Sequence, residues 1–273
     1  MDIQIIKSYA KVNLSLEILK KEKNFHVLQT VICCLQHYYD VLTISPATKF
    51  DVESSGKYLF NGDNILEKVA FLCKKEFDCN INFNVKIQKN IKTGGGLGGG
   101  SSNAATFLHF LLKQNNIYLN QKAFCEFAFK IGADVPFFFN HYPKICKNYG
   151  EVLSDLTFNI PNNLFVVIVV PDFEVKTKEV FSFLNHSQFQ PKSKFINFDD
   201  VVKSQNPFLN IALQLKPNVK EVLESLLQIE GCIKVDISGS GSCFFGLFTK
   251  EVNLKMLKAK FTSYDFISSK LII

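Results

Sequence analysis

Between Thr93 and Ser101 the chain reads G-G-G-L-G-G-G, six glycines and one leucine from Gly94 to Gly100. Glycine loses more conformational freedom on ordering than any other residue, so this run does not fit the interior of a helix or a strand. It can, however, curl until several backbone N–H groups face one anion. The flanks decide between a linker and a cradle. Before the run, Ile81, Phe83, Val85 and Ile87 alternate with Asn82, Asn84, Lys86 and Gln88, which predicts a half-buried strand. After it, SSNAATFLHFLLKQ carries an apolar stripe of Ala104, Ala105, Leu108, Leu111 and Leu112, which predicts a helix with Ser101 or Ser102 at its N-cap. Strand, glycine loop and capped helix form a phosphate cradle, because the helix adds its dipole and its unpaired N–H groups to those of the loop.

Two common phosphate loops fit this segment poorly. A Walker A loop needs a lysine after its last glycine, and Ser101 stands there. The spacing G-x-G-x-x-G is met by Gly94, Gly96 and Gly99, but a dinucleotide site also needs a second strand ending in an acid some 20 residues on. The stretch QNNIYLNQKAFCEF offers neither, so a nicotinamide-dependent oxidoreductase is disfavoured.

Around this centre the chain reads as a mixture of strands and helices, without internal repeats. Strands with turns are expected over the first forty-odd residues, and helices over Asn64 to Phe77 and Gln121 to Lys130. A change of pattern follows residue 150. Leu164 to Val170 reads as a buried strand, and helical segments follow at Thr177 to Leu184, Phe208 to Leu215 and Val219 to Gln228. Strands are then expected at Ile233 to Ser238 and Cys243 to Phe248, a helix at Glu251 to Lys260, and a last strand near Phe266 to Ile272. Strand, helix, two strands, helix, strand is the order of a ferredoxin-like α+β domain. The natural break lies near Pro161 to Asn163, giving domains of residues 1–158 and 159–273.

Composition narrows the partners. The net charge is +6, and all 31 basic residues are lysines. No dense basic cluster marks a nucleic-acid surface, and no apolar run is long enough to cross a bilayer. Without arginine, anions must be met by lysine, backbone N–H groups or metal ions. The eight cysteines include no C-x-x-C pair and several lie in apolar runs, so reduced, mostly buried thiols in a cytoplasmic protein are expected. The N-terminus carries an acid at once and lacks the apolar stretch of a signal peptide. His37, His109, His141 and His186 show no metal-ligand spacing.

Three further segments carry chemistry. In SYAKVNLSLEI, Lys11 and Asn13 lie two apart and share one face of a strand. In KIGADVPFFFN, Asp134 follows a helix-ending Gly132 and precedes Pro136 and three phenylalanines; a carboxylate in so apolar a setting must be paired or working. In DISGSGSCFFG, Gly239-Ser240-Gly241-Ser242 sits between two predicted strands. Taken one at a time, these read as a snorkelling lysine, a turn aspartate and a Gly-Ser hairpin.

The glycine run resembles the central ATP-binding motif of the galactokinase–homoserine kinase–mevalonate kinase–phosphomevalonate kinase superfamily, and these three segments, in this order along a stretch from about residue 7 to 248, resemble the motifs that accompany it. The form G-G-G-L-G-G-G-S-S-N-A-A is similar to that of the 4-diphosphocytidyl-2-C-methyl-D-erythritol kinases of the non-mevalonate isoprenoid route. Two departures stand out: Tyr9 replaces a proline, and Lys92-Thr93 replace Pro-Met before the glycines. The resemblance implies an N-terminal ribosomal-protein-S5-domain-2-like domain followed by the ferredoxin-like domain. It implies ATP as phosphoryl donor, with Mg²⁺, held along Lys92, Thr93, Gly94, Gly95, Gly96, Leu97, Gly98, Gly99, Gly100, Ser101 and Ser102. It implies Asp134 as catalytic base and Lys11 as its charged partner, with Asn13 on the substrate. The segment Phe25-His26-x-Leu-Gln-Thr and the pattern Val175-x-Thr177-x-x-Val180-Phe181 match those that hold a cytidine diphosphate group, through Phe25, His26, Thr177 and Phe181. A monomer or homodimer, with no nucleic-acid or membrane partner, is expected. A homoserine or mevalonate kinase, or a catalytically silent nucleotide sensor on the same fold, is the rival reading.

Overall fold

The computed structural model describes residues 2–22, 25–59, 64–175, 177–184, 189 and 195–273, the side chain of Phe25 excepted. The chain forms two compact units that interleave in sequence. The first gathers residues 1–10, 38–93 and 98–140, and the second gathers residues 11–37, 94–97 and 141–273.

The chain opens on two long strands, β1 (Gln4–Glu22) and β2 (Phe25–Pro46), which pair with each other. β3 (Asp51–Gly56), α1 (Ile65–Phe77) and β4 (Phe83–Lys89) follow. In the first unit the end of β2 lies antiparallel to β4, Val41 opposite Gln88 and Pro46 opposite Phe83, and β3 runs parallel to β4 on its other side. The alternation read in the sequence is seen in β4, where Phe83, Val85 and Ile87 are buried and Lys86 and Gln88 are exposed. α2 (Gly99–Gln114) packs against α1, and Phe110 meets Phe83 edge-on at 4.8 Å. α3 (Gln121–Ile131) is capped by Asn120, whose Oδ1 accepts from the Ala123 N–H, and ends at Gly132 before a short 3₁₀ turn at Pro136–Phe139.

In the second unit the first half of β2 pairs with β5 (Lys144–Asn148), and β5 pairs with β6 (Val152–Asp155). Then come β7 (Phe165–Pro171), the helices α4 (Thr177–Ser182), α5 (Phe198–Lys203), α6 (Phe208–Leu215) and α7 (Val219–Leu227), the strands β8 (Cys232–Ile237) and β9 (Phe244–Phe248), α8 (Lys255–Lys260) and β10 (Tyr264–Lys270). The last four strands form an antiparallel sheet in the order β10-β7-β9-β8. That is the ferredoxin-like order anticipated from the sequence. Its helices cover a core that includes Val167, Val169, Phe208, Val222, Leu226, Phe244 and Phe248.

Two expectations at element ends need correction. Neither Ser101 nor Ser102 caps α2, because the helix begins at Gly99 and Gly98 is its N-cap. Gly98 stands in the left-handed region at φ 66°, which glycine adopts without strain, and Ser102 is buried inside the first turn. The helix expected from Glu251 starts only at Lys255.

Candidate active site

Much of what the three motifs contribute meets within the second unit. Lys11 lies in β1 with 4% of its surface exposed, and its Nζ donates to Asn13 Oδ1 at 2.5 Å. It is therefore no snorkelling edge lysine. Asn13 is fixed in turn, because its Nδ2 donates to Thr30 Oγ1 at 2.8 Å and Thr30 donates to the Ser15 carbonyl at 2.5 Å. The Lys11 ammonium thus faces an amide oxygen whose orientation is set from β2.

The glycine run is tied to this strand and to the C-terminal hairpin through its carbonyl groups. Gly94 O accepts from Ser242 N at 3.2 Å, Gly95 O from Cys243 N at 3.1 Å, Gly96 O from Ser238 Oγ at 2.9 Å and Leu97 O from Lys11 N at 2.9 Å. A trans peptide directs its N–H away from its carbonyl. Fixing the carbonyls of residues 94, 95 and 96 therefore turns the N–H groups of Gly95, Gly96 and Leu97 to the opposite side. Within the second unit those three donors can face one phosphate group. The packing leaves no room for a side chain at Gly96, where an added Cβ would stand 2.0 Å from the Ser238 carbonyl oxygen.

The flanks of the run are held in the first unit by a group the sequence did not single out. Asp40, fully buried in β2, forms an ion pair with Lys89 and accepts from the Asn90 N–H at 2.7 Å, the Ile91 N–H at 2.8 Å and Asn103 Nδ2 at 3.1 Å. The Ser8 hydroxyl lies 2.7 Å from Asn103 Oδ1 and 2.8 Å from Ser102 Oγ. One carboxylate thus joins the strand end before the glycines to the first turn of α2. Asp40 lies two and four residues before the buried Leu42 and Ile44 in β2 and so shares their face of the strand. Lys92 N donates to the Tyr38 hydroxyl at 3.2 Å, and Thr93 Oγ1 donates to the Tyr58 carbonyl at 2.9 Å. Lys92 and Thr93 are therefore anchored although the usual Pro-Met is missing.

The remaining residues fall as follows. Asp134 belongs to the first unit, half-buried in the turn between α3 and the Pro136–Phe139 helix, where the Val135 N–H bonds back to the Gly132 carbonyl at 3.1 Å. His26 and Phe181 come together in the second unit, with ring centroids 5.0 Å apart, and Phe181 meets Phe208 edge-on at 4.7 Å. Partial burial, and then the charge of Lys21, lower the His26 pKa below its ordinary value, so the imidazole is neutral at pH 7. Thr177 Oγ1 and Ser240 Oγ share a hydrogen bond at 2.9 Å, joining α4 to the Gly-Ser hairpin. The Phe25 side chain lies outside the described residues.

Known proteins share this sequence and fold. Residues 64–141 match the GHMP kinases N terminal domain and residues 197–264 match the GHMP kinases C terminal. A 4-diphosphocytidyl-2-C-methyl-D-erythritol kinase of Sulfurihydrogenibium sp. (strain YO3AOP1) is 35% identical over 254 residues, covering 89% of this chain and 90% of that protein. A crystal structure of 4-(cytidine 5'-diphospho)-2C-methyl-D-erythritol kinase superposes with a TM-score of 0.81 at 25% identity, over 98% of this chain and 99% of the other. A homoserine kinase from Cytophaga hutchinsonii shares the fold, with a TM-score of 0.73 at 15% identity over 99% of this chain and 95% of that one. With those motifs interlocked on this fold and that identity along nearly its whole length, the chain belongs to the 4-diphosphocytidyl-2-C-methyl-D-erythritol kinase family of the GHMP kinases.

Proposed function

We propose that this protein transfers the γ-phosphoryl group of ATP to the 2-hydroxyl of 4-diphosphocytidyl-2-C-methyl-D-erythritol, giving the 2-phosphate and ADP on the non-mevalonate route to isoprenoid precursors. The observation that carries this reading is the 35% identity to an enzyme of that name, together with intact Lys11, Asp134 and glycine-run motifs.

ATP supplies the transferable phosphoryl group, and Mg²⁺ is expected with it, bound largely through phosphate oxygens and water. On this reading the N–H groups from Gly95 to Ser102 hold the phosphates, with Lys92, Thr93 and Gly94 at the entry. Asp134 accepts the proton of the attacking hydroxyl, and Lys11 stabilises the charge that develops there. Asn13 keeps the Lys11 ammonium aimed and meets the acceptor. Phe25 and Phe181 stack on the cytosine, while neutral His26 and Thr177 bond its polar edge and the diphosphate. The chain divides functionally at residues 1–158 and 159–273, and the protein works in the cytoplasm as a monomer or homodimer, without a nucleic-acid or membrane partner. Among the described residues no helix is long and apolar enough to cross a membrane.

The test is phosphoryl transfer from ATP to 4-diphosphocytidyl-methylerythritol, homoserine and mevalonate, measured side by side. Only the first should be turned over well, CMP or CDP should compete with it, and methylerythritol without the nucleotide should be a very poor acceptor. Stacking on an aromatic side chain is worth about 1–3 kcal/mol per base. Phe181→Ala should therefore raise KM for this acceptor roughly tenfold to a hundredfold. Preference for homoserine or mevalonate would leave the kinase standing and overturn the substrate.

A further inference from the structure

Ser238 is the knot of the second unit. Its hydroxyl donates to the Gly96 carbonyl at 2.9 Å and accepts from the Asn13 N–H at 3.3 Å. One side chain thus joins the glycine run to the strand that carries Lys11. Its own backbone closes the Gly-Ser hairpin, with the Ser238 N–H bonded to the Cys243 carbonyl and the Ser238 carbonyl to the Gly241 N–H, both at 3.0 Å.

What sets the height of Ser238 is an asparagine some thirty residues earlier. Asn206 is 1% exposed. Its Nδ2 spends both hydrogens on the carbonyls either side of Ser238, that of Ile237 at 3.0 Å and that of Gly239 at 2.8 Å. Its Oδ1 accepts from the Phe208 N–H at 3.0 Å, which fixes the amide in that sense, and its own N–H donates to Asp236 Oδ2 at 3.0 Å. Asp236, also 1% exposed, lies 3.3 Å from the Lys234 ammonium, which bonds the carbonyls of Val201 and Ser204. Burial raises the Asp236 pKa and lowers that of Lys234, a cost that an apolar core would not carry. A buried network in which both amide hydrogens converge on the carbonyls of the two residues flanking one serine holds geometry rather than merely filling space.

We infer that Asn206 is a positioning residue for phosphoryl transfer: through Ser238 it sets the glycine run and the Lys11–Asn13 strand in register. Asn206 touches neither reactant, and the inference rests on the kinase reading above. It is tested with Ser238→Ala, Asn206→Asp and the double variant, in the full-length protein. Asn206→Asp keeps the shape and the acceptor for Phe208 and removes both donors. A misplacement of about 1 Å remote from the chemistry can cost on the order of 10²-fold in rate. Each single variant should therefore lose about tenfold or more in kcat/KM, and in affinity for ATP by nucleotide titration. Because the two residues act in series, the double variant should be no worse than the poorer single one.

A merely structural Asn206 would lower the urea midpoint and leave the kcat/KM of the folded fraction unchanged, and that result overturns the inference. So do strictly multiplicative losses in the double variant. Should Asn206→Asp fail to fold, Ser238→Ala decides: unchanged ATP affinity and turnover would remove the knot itself. If wild-type protein binds ATP but phosphorylates none of the three alcohols, the substrate assignment fails, and ATP affinity alone then decides for or against Asn206. If it binds no ATP, both fail.

Discussion

Lys11 and Asp134 are the residues on which the proposed chemistry turns, and they differ in how far their surroundings explain them. An ammonium as withdrawn as that of Lys11 needs partners, and the Asn13 amide supplies one in a fixed direction. A lysine in an apolar strand looks the same whether its head reaches water or stays inside, so the sequence alone could not tell the two apart; burial decides. Asp134 keeps partial contact with solvent in its turn, as a base must if it is to meet a substrate hydroxyl. Asp134→Asn preserves shape, exchanges one acceptor oxygen for a donor and removes proton acceptance. Turnover should fall by about 10² to 10⁴, with ATP affinity unaltered. Steady-state kinetics beside a nucleotide titration would show it, and an unchanged kcat would take Asp134 out of the chemistry.

The glycine run is one element made of unlike positions. Gly96, at φ 74°, would drive a Cβ into the Ser238 carbonyl, a backbone atom that no rotamer change can move aside. Gly100, inside the first turn of α2, has nothing within 4 Å of the same atom. Gly96→Ala should then destabilise the protein by about 2 kcal/mol or more and weaken ATP binding. Gly100→Ala should leave stability unchanged or raise it by about 0.5–1 kcal/mol. Urea midpoints of the two variants check the contrast, and an equally stable Gly96→Ala protein would refute the packing described for the loop. Elements with a strong period were legible: β4 by its alternation, α6 to the residue, and the order of the C-terminal sheet. β3 escaped notice because D-V-E-S-S-G has no apolar face, and β5 and β6 because strands of five and four residues are too short to show a period. The start of α2 misled because the two serines suit an N-cap, whereas the loop there needs a left-handed residue. In the site, the motifs showed what each segment brings, but the ties of Asn206 around Ser238 span 31 and 33 residues and that of Ser238 to Gly96 spans 142. No local spacing encodes such a contact. Asp40 and Asn206 therefore stayed hidden.

At the scale of the molecule, the chain passes from one compact unit to the other after Ala10, His37, Thr93, Leu97 and Asn140. β1 and β2 each run from one unit into the other. The cysteines report on this. Cys73 and Cys79 are buried in the first unit, and Cys33, Cys34, Cys146 and Cys243 in the second, while Cys125 and Cys232 are partly exposed. Burial pushes the thiols of Cys33, Cys34, Cys73, Cys79 and Cys232 above their ordinary value, which suppresses the reactive thiolate at neutral pH. An aromatic disulfide reagent should accordingly label Cys125 first, Cys232 more slowly, and the six buried thiols only as the protein opens. A ligand at about 100 times its Kd stabilises the folded state by about 2.7 kcal/mol through mass action alone. When opening and closing outpace labelling, Mg·ATP at that level should slow the buried class by about 100-fold. Because the units share their strands, Cys73 and Cys33 should slow together, although they lie in different units. Mass spectrometry of the labelled peptides separates the outcomes. Slowing confined to Cys33 would mean that the units open independently, and no slowing at either site would mean that ATP does not bind the folded protein.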